Sequence, residues 1–223
     1  LIMMNKRKLF TLTLMLNIWF VNAQIVVDNS APYDAPAWLV DNILLGGGVV
    51  ASNISYQGDS MQIAWFDAVN TNLGIDNGIV LSTGNAKALM PDSFFFGNPP
   101  NTVTDPDLLT VANSVPPLLP APFTNSFTVS SVNDIAILEF DFVPTSDSLT
   151  FSYVFGSQEY FAFENSQYND VFGFFLSGPG ITGPYSSPGG FPNGSVNLAV
   201  VPNSVPPLPI TISSINSVTP INQ

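Results

Sequence analysis

The alternation of apolar and acidic side chains in residues 135–143 constrains the fold of this chain more than any other feature. Leu138, Phe140 and Phe142 alternate there with two carboxylates. Successive side chains of a β-strand point to opposite faces of its sheet, so a period of two indicates one buried and one wet face. The segment therefore predicts a half-buried β-strand.

Other short apolar runs separated by glycine and proline turns predict further strands. They lie at 49–56, 63–66, 79–81, 149–155, 171–176, 196–201 and 210–215. We expect residues 149–155 to pair back on 135–143 as a hairpin. Many short strands joined by such turns favour an all-β, mainly antiparallel fold, a β-sandwich with the jelly roll as one possible arrangement.

One or two short helices should accompany the strands. Asp34 is a candidate cap for a first helix, with Pro36 in its first turn and the glycines at 46–48 at its end. Thr104 and Asp105 precede Pro106, which suits the first position of a second helix. Both are expected to be minor parts of a β domain.

The chain has neither cysteine nor histidine. Without imidazole, Ser-His-Asp and Cys-His nucleophile systems and histidine-ligated zinc sites are excluded. A domain without disulfides must be stabilised by its apolar core, by metal ions or by both.

Residues 1–23 have the pattern of a cleaved secretory signal peptide. Lys6, Arg7 and Lys8 precede a short apolar run that ends in small or modest side chains at Ala23. The run is about 12 residues long, short of the roughly 20 that cross a bilayer as a helix, and no later stretch is a candidate span. The alternative, a buried core helix, fits the three cations poorly.

The remainder divides into an extended lead-in, residues 24–36, and one β domain, residues 37–223. Because no anchoring element precedes Gln223, we expect the domain to be truncated at its C-terminus and anchored through a missing segment.

Sixteen aspartates and glutamates face four lysines and arginines, and three of those four cations lie in the predicted signal. The mature chain therefore keeps only Lys87. Such acidity repels phosphate backbones, so nucleic acid is a poor partner, while divalent cations are attracted. The alternative is that the acidity only keeps an extracellular protein soluble.

Five segments of the chain resemble the choice-of-anchor L domain of secreted bacterial surface proteins, a family common in Bacteroidota. They are Leu39–Leu44, Gly74–Gly84, Leu138–Pro144, Tyr153–Tyr160 and Asn169–Gly180. The resemblance implies export and display at the outer cell surface, with varied C-terminal anchoring segments. It brings no established activity and no catalytic residues. Relatives tend to carry two acids where this chain has Gln158-Glu159, so a metal site there would be weaker.

Four oxygen-bearing side chains lie in one loop between predicted strands: Glu159, Glu164, Asn169 and Asp170. Calcium takes six to eight oxygen ligands, so we predict Ca²⁺ as the candidate cofactor at this loop. The spacing is not that of an EF-hand. The alternative is that Asn169-Asp170 forms a turn and both glutamates face solvent.

Two other acidic pairs have simpler explanations. Asp105 and Asp107 fall at the start of a predicted helix, where carboxylates cap free N–H groups. Glu139 and Asp141 share one face of an alternating strand. We therefore do not assign either pair to a metal site.

Aromatic side chains crowd the same loop as the four candidate ligands. Tyr160, Phe163 and Tyr168 are candidates for contact with an extracellular ligand, because rings beside carboxylates can hold a sugar. Most of the 18 phenylalanines must form the core.

Three functions remain open. The chain is predicted to be a non-enzymatic binding or adhesion module, supported by calcium, for an extracellular glycan or protein. A structural spacer that displays other domains is the first alternative. A secreted glycoside hydrolase using two carboxylates is the second, since it needs no histidine.

Overall fold

The computed structural model describes residues 24–46, 49–88, 102–115, 127–160 and 162–216. The predicted signal peptide, residues 1–23, lies outside the described residues. Seven strands are present in this part of the chain: β1 (Val26–Asp28), β2 (Val49–Gln57), β3 (Ile63–Asp67), β4 (Asn77–Leu81), β5 (Ile137–Pro144), β6 (Phe175–Leu176) and β7 (Val196–Asn197). The two α-helices are α1 (Pro36–Leu39), continued by a π-helical turn at Val40–Leu44, and α2 (Pro106–Ser114). Short 3₁₀ turns lie at Ser60–Gln62 and Ala86–Ala88.

The strands form three separate sheets within the described residues, and every strand pair is antiparallel. In the largest sheet β3 lies between β1 and β4, while β2 pairs with β5 and β6 pairs with β7. The central strand β3 buries Ile63, Ala64 and Phe66. The predicted all-β, mainly antiparallel fold with two short helices is confirmed.

The β2–β5 ribbon is the longest pairing in the described chain. Its register runs from Val49 opposite Pro144 to Gln57 opposite Ile137, with a bulge between Ser52 and Ser55. A bulge adds one residue to a strand and increases its local twist. The two carboxylates of β5 each accept a hydrogen bond from an amide of β2. Asn53 Nδ2 donates to Asp141 Oδ2 at 2.6 Å, and Gln57 Nε2 donates to Glu139 Oε2 at 3.4 Å.

The predicted hairpin between residues 149–155 and β5 is wrong, because β2 is the partner of β5. Residues 149–155 belong to no strand. Their rings instead pack on a later segment, with Phe151 4.7 Å from Phe174 and Tyr153 5.2 Å from Phe172 between ring centroids. The nine-residue β2 offers β5 a partner of matching length and polar cross-strand bonds, which the adjacent segment does not.

Of the two predicted helix caps, the one at α1 is wrong and the one at α2 is confirmed. Ala35, not Asp34, occupies the position before α1, and no side chain caps this helix. At α2 the prediction is confirmed, since Asp105 Oδ1 accepts from the Leu108 N–H at 2.7 Å. Leu39 and Val40 are fully buried, so packing rather than capping holds the first helix.

A second core lies where the end of α2 meets the last described segments. Val115, Ala199, Val201, Leu208 and Ile210 form its buried cluster. The Ile210 N–H donates to the Ala199 carbonyl at 3.2 Å, and the Phe172 N–H donates to the Ile210 carbonyl at 3.1 Å. These bonds join the predicted strand regions 171–176, 196–201 and 210–215, although regular strand is limited there to β6 and β7.

Two further facts complete the fold. Lys87 Nζ lies 3.2 Å from Asp28 Oδ1, the single ion pair among the described residues. None of the helices in the described residues has the length and hydropathy of a membrane span.

Candidate functional site

An open groove of about 2060 Å³ lies between β5 and residues 167–179. Residues 129–144 form one wall, and residues 156–159 border the same space. Part of the predicted metal-binding loop, including Glu159 and Asp170, lines this groove. Strand β5, which the sequence predicted, lines it as well.

The free edge of β5 faces this groove. Every residue from Ile137 to Pro144 lines it, whereas β2 contributes only Asn53 and Ser55. A sheet face exposes alternate residues of each strand, so an uninterrupted row from one strand indicates that its edge borders the space. On this edge β5 has no strand partner among the described residues.

The groove is acidic. Eight aspartates and glutamates line it, and none of the lining residues in the described chain is a lysine or arginine. Lys87 is paired with Asp28 and does not itself line the groove, although its neighbours Asn85 and Ala88 do. Unopposed carboxylates in a concave surface concentrate negative potential and raise the local concentration of cations.

Glu159 and Asp170 form the centre of the candidate site. The Ser157 hydroxyl donates to Asp170 Oδ2 at 2.8 Å and accepts from the Glu159 N–H at 3.0 Å, so one serine connects the two acidic residues. Burial, with repulsion from Asp170, raises the pKa of Glu159 to about 7. Burial also raises the pKa of Asp170, opposed by the Ser157 hydrogen bond. Both carboxyls therefore resist ionisation, and a bound cation would relieve them.

Asn169 has a structural role. Its side chain is buried, with Nδ2 donating to the Ala112 carbonyl at 2.9 Å and Oδ1 accepting from the Ser213 N–H at 3.2 Å. The amide therefore joins α2 to the last described turn. Its oxygen already has a donor, although the residue borders the groove.

Glu164 lies apart from the pair. Its Oε1 is buried and has no hydrogen-bond partner among the described residues, and it does not line the groove. Burial raises the pKa of the Tyr160 hydroxyl, a hydrogen bond with the Ser157 backbone opposes this rise, and the charges of Glu164 and Asp170 add to it. The charge of Glu164 therefore acts on the Tyr160 hydroxyl, and its side chain does not line the groove.

The three predicted aromatic contacts do not share one surface. Tyr168 is 57% exposed and lines the groove, whereas Tyr160 and Phe163 do not. Phe163 packs edge-on against Tyr168, with 5.3 Å between ring centroids. Phe163 therefore packs against the Tyr168 ring without lining the groove itself.

Of the four predicted metal ligands, the structure brings Glu159 and Asp170 together. No group of three or more acidic side chains in the described residues is arranged to hold a metal ion. The sequence did not identify Ser157 or the free edge of β5 as parts of the site. The Glu139/Asp141 alternation was the available signal for the edge, but it indicated a strand without showing which side was unpaired.

Comparison with known proteins places the chain in one family. No curated protein and no solved structure matches it. The model of the choice-of-anchor L domain matches residues 26–223, which include the whole groove. The chain therefore belongs to the choice-of-anchor L domain family, whose members are surface-associated or secreted proteins.

Proposed function

We propose that this domain is a non-enzymatic binding module that takes an extracellular ligand in the acidic groove. The observation that carries the proposal is the set of eight carboxylates that line the groove beside a strand edge with no partner in the described chain, with no cation among the lining residues described. Such a surface repels anionic ligands, nucleic acids included, and favours neutral or cationic ones. A purely structural spacer has no need of an open concave surface.

A glycan or a protein can satisfy this charge requirement. Tyr168 presents an exposed ring inside the groove, and rings of this kind stack on the apolar face of a sugar. The unpaired edge offers backbone donors and acceptors to either class. Ligand binding by the purified chain is tested by immobilising it and passing neutral glycans, basic peptides and heparin over the surface.

Binding of a neutral or basic probe, with heparin excluded, is the expected result. The substitution Tyr168→Ala should weaken the binding of a glycan. Failure of all probes would favour the structural spacer, and binding of heparin would contradict the electrostatic argument.

Calcium is part of the proposal, at Glu159 and Asp170. Their partly buried carboxyls repel one another, and their oxygens with water and backbone carbonyls are ligands that Ca²⁺ accepts. Binding requires an ionised Glu159, whose pKa is about 7. Calcium at about 5 mM should therefore raise the melting temperature at pH 8 and less at pH 6. No rise at pH 8 would remove calcium from the proposal.

A glycoside hydrolase is the second candidate, favoured by the pKa of Glu159. A glutamate with a pKa of about 7 can act as a general acid, with Asp170 as the second carboxyl. Acid–base pairs of this kind have their pKa values pushed apart, whereas here burial raises both. The shared direction of the two pKa shifts therefore argues for binding rather than hydrolysis. Release of reducing ends from a polysaccharide panel, lost in Glu159→Gln, would reverse this preference.

A further inference from the structure

We propose that the free edge of β5 binds an extended, basic segment of another polypeptide as an added strand. The inference rests on the proposed binding function and names its ligand class. It draws on three observations: the unpaired edge, the period of the β5 side chains and the charge of the groove.

The unpaired edge supplies the backbone groups for strand addition. β5 pairs with β2 on one side, and in the described chain no strand covers the other. Alternate N–H and C=O groups of an edge strand point away from the sheet, where an incoming peptide can pair with them. Pro144 lacks an N–H and closes the site at one end.

The side chains of β5 determine which peptide fits. Glu139 and Asp141 are exposed on one face, while Leu138, Phe140 and Phe142 are half-buried on the other. Cross-strand neighbours in a sheet lie on the same face and interact in pairs. The matching peptide therefore alternates lysine or arginine with apolar residues.

The charge of the groove disfavours two other occupants of the edge, an acidic peptide and a second copy of this chain. An acidic peptide would meet eight lining carboxylates. A second copy of this chain would present its own Glu139 and Asp141 to the same residues, and like charges directly opposite are destabilising. Natural proteins protect exposed edges with charges, and here the charges block self-association while attracting a basic partner.

An octapeptide of alternating lysine and valine, labelled with a fluorophore, tests the proposal by anisotropy with the purified chain. We expect saturable binding that weakens as NaCl is raised from about 50 to about 300 mM. The same peptide N-methylated at every backbone amide keeps its charge but can donate no backbone hydrogen bond from either edge, so it should bind at least about tenfold more weakly. An octapeptide of alternating glutamate and valine should not bind.

The matched variant of the protein is Glu139→Gln with Asp141→Asn, which keeps the side-chain shapes and the amide contacts to β2 possible. It should weaken binding of the lysine peptide about three- to tenfold, because each exposed ion pair contributes little to the binding free energy. The control is Asp41→Asn, which removes an exposed charge that does not line the groove.

Three results would overturn the inference. They are equal binding of the N-methylated peptide, no binding of the lysine peptide at about 1 mM, and β5 amides that are protected from hydrogen exchange on both edges in the free chain. The last would mean that another part of the chain already covers the edge. Binding of a neutral glycan without the lysine peptide would refute this inference and leave the proposed function standing.

Discussion

Replacing Glu159 with glutamine should stabilise the domain at pH 8 and leave it unchanged at pH 4.5. Burial, with repulsion from Asp170, raises the pKa of Glu159 to about 7 from an ordinary 4.5. Between these values the folded chain holds a proton that the unfolded chain has lost, so stability falls as the pH rises through that window. Above about pH 7 the ionised carboxylate opposes folding in full. Glutamine has the same shape and no charge.

The size of the effect follows from the raised pKa. Each pKa unit corresponds to about 1.36 kcal/mol, so the rise from 4.5 to about 7 sets an upper limit of about 3.4 kcal/mol. Glu159 is only partly buried, so solvent screening reduces the expected gain to about 1–2 kcal/mol. For a domain of this length such a gain raises the melting temperature by about 3–6 °C.

Thermal unfolding followed by circular dichroism between pH 4.5 and pH 8, with EDTA to remove calcium, measures this difference. Glu139→Gln is the matched control, because it removes the same charge from an exposed position on β5. We expect the two variants to diverge above pH 6. A pH-independent change in Glu159→Gln, or a loss of stability at pH 8, would refute the assignment of a buried, repelled carboxyl.

Substitutions at three further sites, two of them with a matched control, test contacts close to the groove. Asn169→Leu should lower stability by about 2–3 kcal/mol in denaturant titrations, because it leaves a buried carbonyl and a buried N–H without partners; a change below about 0.5 kcal/mol would contradict the bridging role. Gly183→Ala should unfold or strongly destabilise the chain, since a Cβ there meets the Ser195 carbonyl, whereas Gly189→Ala enters open space and should be neutral by the same melts. Asp105→Ala should cost about 1 kcal/mol through loss of the α2 cap, and Asp105→Asn, which keeps an acceptor, should cost much less.

Local patterns in the sequence predicted the local structure well. Alternation located β5, and Asp105 before Pro106 located the start of α2. The partner of β5 could not be found this way, because β2 lies more than 80 residues away and no local pattern shows which strands pair. Nearest-neighbour pairing was the simpler prediction, and the tertiary arrangement overrode it.

The candidate site was predicted in part for a similar reason. Glu159 and Asp170 were identified because acidic residues close in sequence suggest oxygen ligands. Asn169 belongs to the same run, yet its amide is occupied by Ala112 and Ser213, which are 57 and 44 residues away. Contacts of that range leave no trace in a local motif. Ser157, an ordinary serine in sequence, becomes informative only through the two bonds it makes.

The pairing of Lys87 with Asp28 has a consequence for the ionic strength at which the domain is most stable. It is the single ion pair in the described part of the chain, set against sixteen carboxylates in the sequence. Dissolved ions shorten the Debye length and so weaken a large mutual repulsion together with one small attraction. Sodium chloride should therefore raise the unfolding temperature, the reverse of its effect on domains rich in surface ion pairs. Salt in the surrounding medium is, for this fold, a stabilising component.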